Sequence, residues 1–245
     1  MKRRDLMLGS VGLLVPAIGR SATPCTPSPL NVAGGTAVTT PCQASQKTYT
    51  TNFPLTEKPI SEGGVWTNGG SVGLDWTDVQ TTSGLAFATQ TIHAPPPYDD
   101  SIACLSGFSA NQWCQGTLHN ASASAREVEL LLRATITAHR AILYEIDITQ
   151  SNGLDIARWN GLSNDYTLLA IGITTNVSTA NGAVWYAQIV GNTITVKCNG
   201  TQVAQITDSA ITSGNPGLGC YGDANAGATT ANNTFGWSSF SAGQL

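Results

Sequence analysis

The stretch VELLLRATITAHRAILYEIDIT, residues 128–149, decides the fold. Two runs rich in branched and aromatic side chains, Val128 to Ile136 and Ala141 to Thr149, flank the short link Thr137-Ala138-His139-Arg140. In the second run apolar and polar residues alternate through Tyr144-Glu145-Ile146-Asp147-Ile148-Thr149. That is the period of a half-buried strand, with Ile facing in and acid facing out. The two runs read as the start of an antiparallel meander.

Working outward, Leu154 to Trp159 and Tyr166 to Ile173 continue the meander. Ala183 to Val190, Thr193 to Cys198 and Gln202 to Ile206 follow, separated by Gly191-Asn192 and Asn199-Gly200, dipeptides that tolerate positive φ and mark tight hairpins. A closing strand runs from Thr234 to Ala242 around FGWSSFSA. About eight to twelve such strands, with no stretch of helical spacing between them, predict one all-β domain, a sandwich or barrel of antiparallel sheets. Trp66, Trp76 and Trp237 sit in alternating runs and are assigned to the core. Thr91 to Ser124, Leu162 to Asp165 and Asp223 to Asn233 read as loops, the places where binding residues gather on rigid sheets.

The chain opens Met1-Lys2-Arg3-Arg4-Asp5 and runs into an apolar segment, Leu6 to Ile18, too short for a membrane span, which takes roughly 20 residues. Residues 1–22 therefore read as an export signal peptide, and the expected location is secreted or periplasmic. The Arg3-Arg4 pair partly resembles the twin-arginine export motif, with Lys2 in place of the usual Ser or Thr. Residues 23–60 read as a Pro/Thr/Ser-rich N-terminal arm, and 61–245 as the sandwich domain. Charged residues make up 11%, well under the usual share of about 25%. With 11 Lys plus Arg against 15 Asp plus Glu, no basic stripe meets phosphates, so nucleic acid is excluded as a partner.

All six cysteines, Cys25, Cys42, Cys104, Cys114, Cys198 and Cys220, follow the signal, which predicts disulfides. Sequential pairing, Cys25–Cys42, Cys104–Cys114 and Cys198–Cys220, is one of the many connectivities open to six cysteines. No CxxC or histidine-flanked spacing points to zinc.

The succession Tyr144-Glu145, Ala157-Arg158-Trp159-Asn160-Gly161, Ile194-Thr195-Val196, Asn199-Gly200-Thr201, Asp208-Ser209, Gly214-Asn215-Pro216-Gly217-Leu218-Gly219 and Phe235-Gly236-Trp237-Ser238-Ser239-Phe240 resembles the concanavalin A-like lectin/glucanase superfamily, and within it the laminin-G-like jelly rolls of secreted bacterial proteins. The resemblance covers about residues 65–242. It implies a jelly roll whose concave face or loop rim binds sugars.

Glu145-Ile146-Asp147-Ile148-Thr149-Gln150 is similar to the E-I-D-I-x-E segment of bacterial endo-β-glucanases of the laminarinase and lichenase type. That similarity implies Glu145 as nucleophile, Asp147 as its tuning partner and the position of Gln150 as acid/base. A retaining glycosidase needs two carboxyl groups about 5–5.5 Å apart, one ionised and one protonated. An amide at 150 has no proton to give a leaving sugar. Asp99, Glu129 or Asp155 are the other acids able to take that role. The plain alternative is an ordinary strand with its acids in solvent.

Arg158, Trp159, Asn160 and Tyr166 form a second constellation, in which an indole face stacks on pyranose C–H groups while polar neighbours bind hydroxyls. The competing reading makes Trp159 a core residue and Arg158 a rim charge. His93, Tyr98, Asp99 and Asp100 form a third, in which adjacent carboxylates hold calcium or simply make a solvated turn. Arg126, Glu127, Glu129 and Arg133 bring the fold's polysaccharide lyases into view, without the Gln-x-His or Tyr pattern that would support one. The leading expectation is a carbohydrate-binding, lectin-like protein with a glycan or polysaccharide as partner and no cofactor. A polysaccharide hydrolase or lyase, and a structural or adhesive domain without a sugar site, are the alternatives.

The Gln150 argument predicts that the unmodified chain is not an efficient β-glucanase, because general acid catalysis is worth about 10²–10⁴-fold. A reducing-sugar assay on laminarin and lichenan checks it: robust turnover abolished by Glu145→Gln would contradict the expectation, whereas activity gained only in Gln150→Glu would support it.

Overall fold

A computed structural model describes residues 46–68, 76–89, 100–121, 127–149, 153–162, 165–221 and 232–245. In chain order the strands are β1 (Thr48–Thr51), β2 (Thr67–Asn68), β3 (Val79–Thr82), β4 (Leu85–Ala88), β5 (Ser101–Cys104), β6 (Gln112–Asn120), β7 (Glu127–Thr137), β8 (Arg140–Thr149), β9 (Gly153–Gly161), β10 (Tyr166–Ile173), β11 (Val184–Val190), β12 (Thr193–Cys198), β13 (Thr201–Thr207), β14 (Asn215–Tyr221) and β15 (Phe235–Gln244). Among the described residues the only helix is a single 3-10 turn, Asn232–Thr234.

The strands pair antiparallel into two sheets. The first runs β13-β12-β11-β6-β15-β4-β3, with β1 also on β15; the second runs β10-β9-β8-β7-β14-β5-β2. Alternation turns one face of each sheet toward the other. Leu130 and Leu132 of β7, Tyr144, Ile146 and Ile148 of β8, Ile156 of β9 and Leu218 of β14 meet Leu118, Trp185, Ile194, Trp237 and Phe240 of the first sheet in one core. Each fully buried aliphatic or aromatic side chain there contributes roughly 1.5–3 kcal/mol. The result is an all-β antiparallel sandwich, as the alternation predicts, in the jelly-roll form that the resemblance implies. The second sheet also carries a smaller apolar cluster on its other face, with Trp76, Ile102, Cys104, Leu131, Leu143 and Trp159. As expected, Trp66, Trp76 and Trp237 are buried.

Three sequence expectations change. The loop assigned to Thr91 to Ser124 contains β5 and β6. The face of β6 that is buried consists of Gln112, Cys114, Gly116 and Leu118, so its alternation carries almost no hydrophobic signal. The polar TYTT of β1 lies inside the arm assigned to residues 23–60, yet it pairs residue for residue with Ser241 and its neighbours, and Phe53 and Ile60 behind it are fully buried in the core.

The third change concerns the cysteines: Cys104, Cys114, Cys198 and Cys220 are free thiols, all buried. Cys104 and Cys114 cannot meet, because Cys104 faces the outer cluster of the second sheet while Cys114 faces the core between the sheets. Cys198 sits on β12 in the first sheet, its Sγ directed at the Ser178 carbonyl at 3.8 Å, whereas Cys220 sits on β14 in the second. Burial pushes the Cys104 thiol up to about 12. Cys25 and Cys42 lie outside the described residues.

The core is packed closely enough to test at one position. A Cβ on Gly116 of β6 would press into the six-membered ring of Trp237, which is fully buried and donates its Nε1 hydrogen to the Gly219 carbonyl at 3.3 Å. Overpacking of this kind costs about 1–3 kcal/mol. Gly116→Ala is expected to lower the urea unfolding midpoint accordingly; an unchanged midpoint would mean that the ring has room to move.

Candidate functional site

The outer face of the second sheet gathers carboxylates from neighbouring strands because antiparallel register aligns their polar positions. Glu129 of β7 stands opposite Asp147 of β8 on one side and Gly219 of β14 on the other. Glu145 lies opposite Leu131 and Ala157, and Asp147 opposite Asp155 of β9. Glu127 pairs with Tyr221, and Trp159 with Leu143 and Tyr166. Asp100, just ahead of β5, joins the group.

These residues occupy two levels. The upper level is a cleft of about 350 Å³ lined by Asp100, Glu127, Asp147, Asp155, Ala157, Trp159, Tyr166, Leu168, Ile171 and Tyr221. Its lining includes no Lys, Arg or His among the described residues. One wall is β10, whose ladder with β9 shifts register between Leu168 and Ala170 and again between Ala170 and Ile173. Those irregularities break the two-residue period, so that Tyr166, Leu168 and Ile171 all reach the same cleft, and all three are exposed.

The lower level is the floor. One carboxylate oxygen each from Asp100, Glu129 and Glu145 lie within 4.8 Å of one another, and all three residues are buried. Trp159 closes the floor from above: its Nε1 donates to Glu145 Oε2 at 2.7 Å, its ring meets Trp76 edge-on at 5.5 Å, and Tyr166 leans on its other side at 5.2 Å. Trp159 is only 6% exposed, against 41% for Tyr166.

Burial holds Glu129, Glu145 and Asp147 toward their neutral forms. Burial pushes Glu145 up to about 7, an effect that hydrogen bonds with Trp159 and Glu129 oppose and the neighbouring Glu127 and Asp155 reinforce. Glu129 is raised well above the carboxylate range by burial first and by Glu145, Asp100 and Asp147 next. Asp147 is raised for the same reasons, with Glu127 the leading neighbour. Apart from the Glu145 carboxyl, neither carboxyl oxygen of Glu129 meets a hydrogen-bond partner, and Oδ1 of Asp147 meets none.

Glu145 and Asp147 project together as their spacing predicts, but Glu145 lies beneath Trp159 whereas Asp147 lines the cleft. The tetrad Arg158, Trp159, Asn160 and Tyr166 is divided. Trp159 and Tyr166 meet on the outer face, whereas Arg158 and Asn160 turn the other way, as neighbours on a strand must. Arg158 Nη1 binds Asp208 at 2.5 Å, Arg158 Nε donates to Asn160 Oδ1 at 3.0 Å, and Asn160 Nδ2 donates to Asp165 at 3.0 Å.

Arg133 is buried and donates to the carbonyls of Ala110, Ile211 and Gly191, so it ties loops together and takes no part in the cleft. Gln150, His93, Tyr98, Asp99 and Arg126 lie outside the described residues. Glu127 and Tyr221 are site residues that sequence reasoning did not assign to a glycan. The parity of Glu127-Val128-Glu129 carried a signal for the first; nothing local marked the second.

No family model matches the sequence, and no curated protein matches it. Among solved structures the chain is similar to carbohydrate binding module CBM66 from Bacillus subtilis (14% identity over 76% of this chain and 96% of that one, TM-score 0.47). It is also similar to a Bacillus licheniformis β-glucanase (11%, 82% and 100%, TM-score 0.49) and to porphyranase B from Zobellia galactanivorans (11%, 84% and 96%, TM-score 0.49). The likeness is one of chain path alone.

The floor generates a pH dependence. Glu145 has its ordinary value near 4.5 when unfolded and about 7 when folded, so the fold favours the protonated form. Its contribution is complete below the unfolded value and is lost as pH rises through the folded one. In chelator-treated buffer the chain is expected to lose stability, on the order of 2–3 kcal/mol, between about pH 4.5 and pH 7.5. Glu145→Gln, which cannot ionise, is expected to flatten that segment of the thermal-midpoint profile; an equally steep profile in the variant would assign the effect elsewhere.

Proposed function

We propose that the chain binds a glycan in the cleft above Trp159. The observation that carries this reading is an exposed aromatic wall standing beside hydrogen-bond acceptors. Tyr166, braced from below by Trp159, offers a ring face to pyranose C–H groups. Asp147, Asp155 and Glu127 border the same space and accept hydrogen bonds from sugar hydroxyls. A concave, mostly apolar pocket with a few convergent polar groups is the usual form of a small-molecule site.

The charge of the lining selects the class of sugar. A lining with four acids and no Lys, Arg or His among the described residues disfavours sulfated and uronic glycans and admits neutral or amine-bearing ones. Arg158 and Asn160 belong to this reading as supports: Arg158 holds Asp208, and Asn160 donates to Thr167 of β10 at 3.3 Å, which steadies the strand carrying Tyr166. Export to the periplasm or beyond, resting on the leader at residues 1–22, is part of the same proposal, since glycan polymers of this kind lie outside the cytoplasm.

A hydrolytic role is less well supported. Glu145 would be its nucleophile, yet that carboxyl lies under the Trp159 indole and already accepts its hydrogen bond.

Screening against immobilised glycans is expected to give binding to neutral or amino sugars and none to sulfated or uronate chains. Tyr166→Ala is expected to weaken it about tenfold, the equivalent of roughly 1.4 kcal/mol. Absence of any bound glycan, or a dissociation constant unmoved by both Tyr166→Ala and Asp147→Asn, would reject the cleft as the site.

A further inference from the structure

We propose that Asp100, Glu129 and Glu145 form a binding site for a hard divalent cation, calcium above all, beneath the floor of the cleft. Three carboxylates from three separate segments converge so that their nearest oxygens lie within 4.8 Å of one another. Oxygens bound to one calcium at 2.3–2.6 Å can stand up to about 5 Å apart, and three carboxylates can supply up to six of the six to eight ligands calcium takes.

A cluster of acids alone would not point to a cation; the buried carboxyl of Glu129 does. Its side chain is completely buried and aimed into the group, and its oxygens meet no partner beyond the Glu145 carboxyl, with which a proton can be shared only while one of the two stays neutral. A carboxylate in that position costs several kcal/mol unless a countercharge or a metal meets it. No Lys, Arg or His supplies that countercharge among the residues lining the floor, which are otherwise apolar: Trp76, Ile102, Ala141, Leu143 and Trp159.

The sequence makes room for this side chain. Gly219, directly opposite Glu129 on β14, has a backbone that any Cβ would drive into Glu129 Oε2. The strand is thus bare where the carboxyl lies. Entry is available from above, because Asp100 and Trp159 border both the floor and the open cleft. Asp147, on the next outward-facing position after Glu145, also leaves Oδ1 unpartnered.

The probe is the cation alone, added to the full chain after chelator treatment. Trp159 Nε1 lies 2.7 Å from Glu145 Oε2, close enough for the indole to sensitise terbium held by that carboxylate. The expected result is saturable terbium luminescence excited through tryptophan, displaced by calcium, together with a thermal midpoint that rises with calcium. Glu129→Gln, nearly isosteric, is expected to weaken both cations tenfold or more. Asp100→Asn serves as the second variant should Glu129→Gln fail to fold. An unmodified, folded chain without saturable luminescence and without a calcium-dependent midpoint would overturn the site, as would folded variants that bind as tightly as the parent. Glycan enters none of these readouts, so a failure of glycan binding leaves the cation result standing, and the reverse also holds.

Discussion

Two-residue alternation across β7, β8 and β9, locked by antiparallel register, is the constraint on which the molecule depends. Every core residue on these strands has an outward neighbour, and on β7 and β8 that neighbour is repeatedly an acid: Val128 lies between Glu127 and Glu129, Ile146 between Glu145 and Asp147. A slip of one residue would expose Tyr144, Ile146 and Ile148 and thrust Glu145 and Asp147 between the sheets. Each displaced carboxyl would cost several kcal/mol. The apolar core and the acidic face therefore specify each other, and the site is a by-product of the same pairing that makes the fold.

Cations are distributed to match. Arg133 and Arg158, carried by two of these strands, are both engaged away from the cleft. Arg133 occupies a left-handed backbone conformation, φ 50°, at a register shift in the β7–β8 ladder, and from there its guanidinium reaches three carbonyls in separate loops. Arg158 is held by Asp208, which also accepts from the Tyr144 hydroxyl at 2.7 Å. These two cations thus lie on the side of the sheet opposite the acids, and the cleft lining carries no Lys, Arg or His among the described residues.

Most of the strand pattern was legible because it is written in alternation. Val128 to Ile136, Ala141 to Thr149, Leu154 to Trp159 and the later hairpins differ from the observed strands by a few terminal residues. β1 and β6 were hidden because the sheet buries polar or small residues there, and a buried Gln112 or Gly116 looks like loop composition. For the site, the shared face of Glu145 and Asp147 follows from spacing alone. Their meeting with Glu129, Asp155 and Asp100 depends on which strands are neighbours, which local sequence does not encode. Arg158 and Asn160 flank Trp159 in sequence but, by the same two-residue alternation, face the other side of the sheet. The cysteine count, likewise, says nothing about which side of a sheet each thiol faces.

The irregular ladder of β10 has a consequence for how molecules of this protein meet. The strand is the outer edge of its sheet and carries Tyr166, Leu168 and Ile171 in solvent, Ile171 at 68% exposure. A straight edge bearing such residues would template a strand from another copy and begin an open-ended stack. Here the pairing holds for only three successive residues before it shifts, and Gly172 turns the backbone to φ 68°. An incoming strand finds no continuous row of donors and acceptors to follow. The distortion that gathers the apolar wall is thus also a guard against polymerisation, letting a greasy surface stay open in concentrated solution.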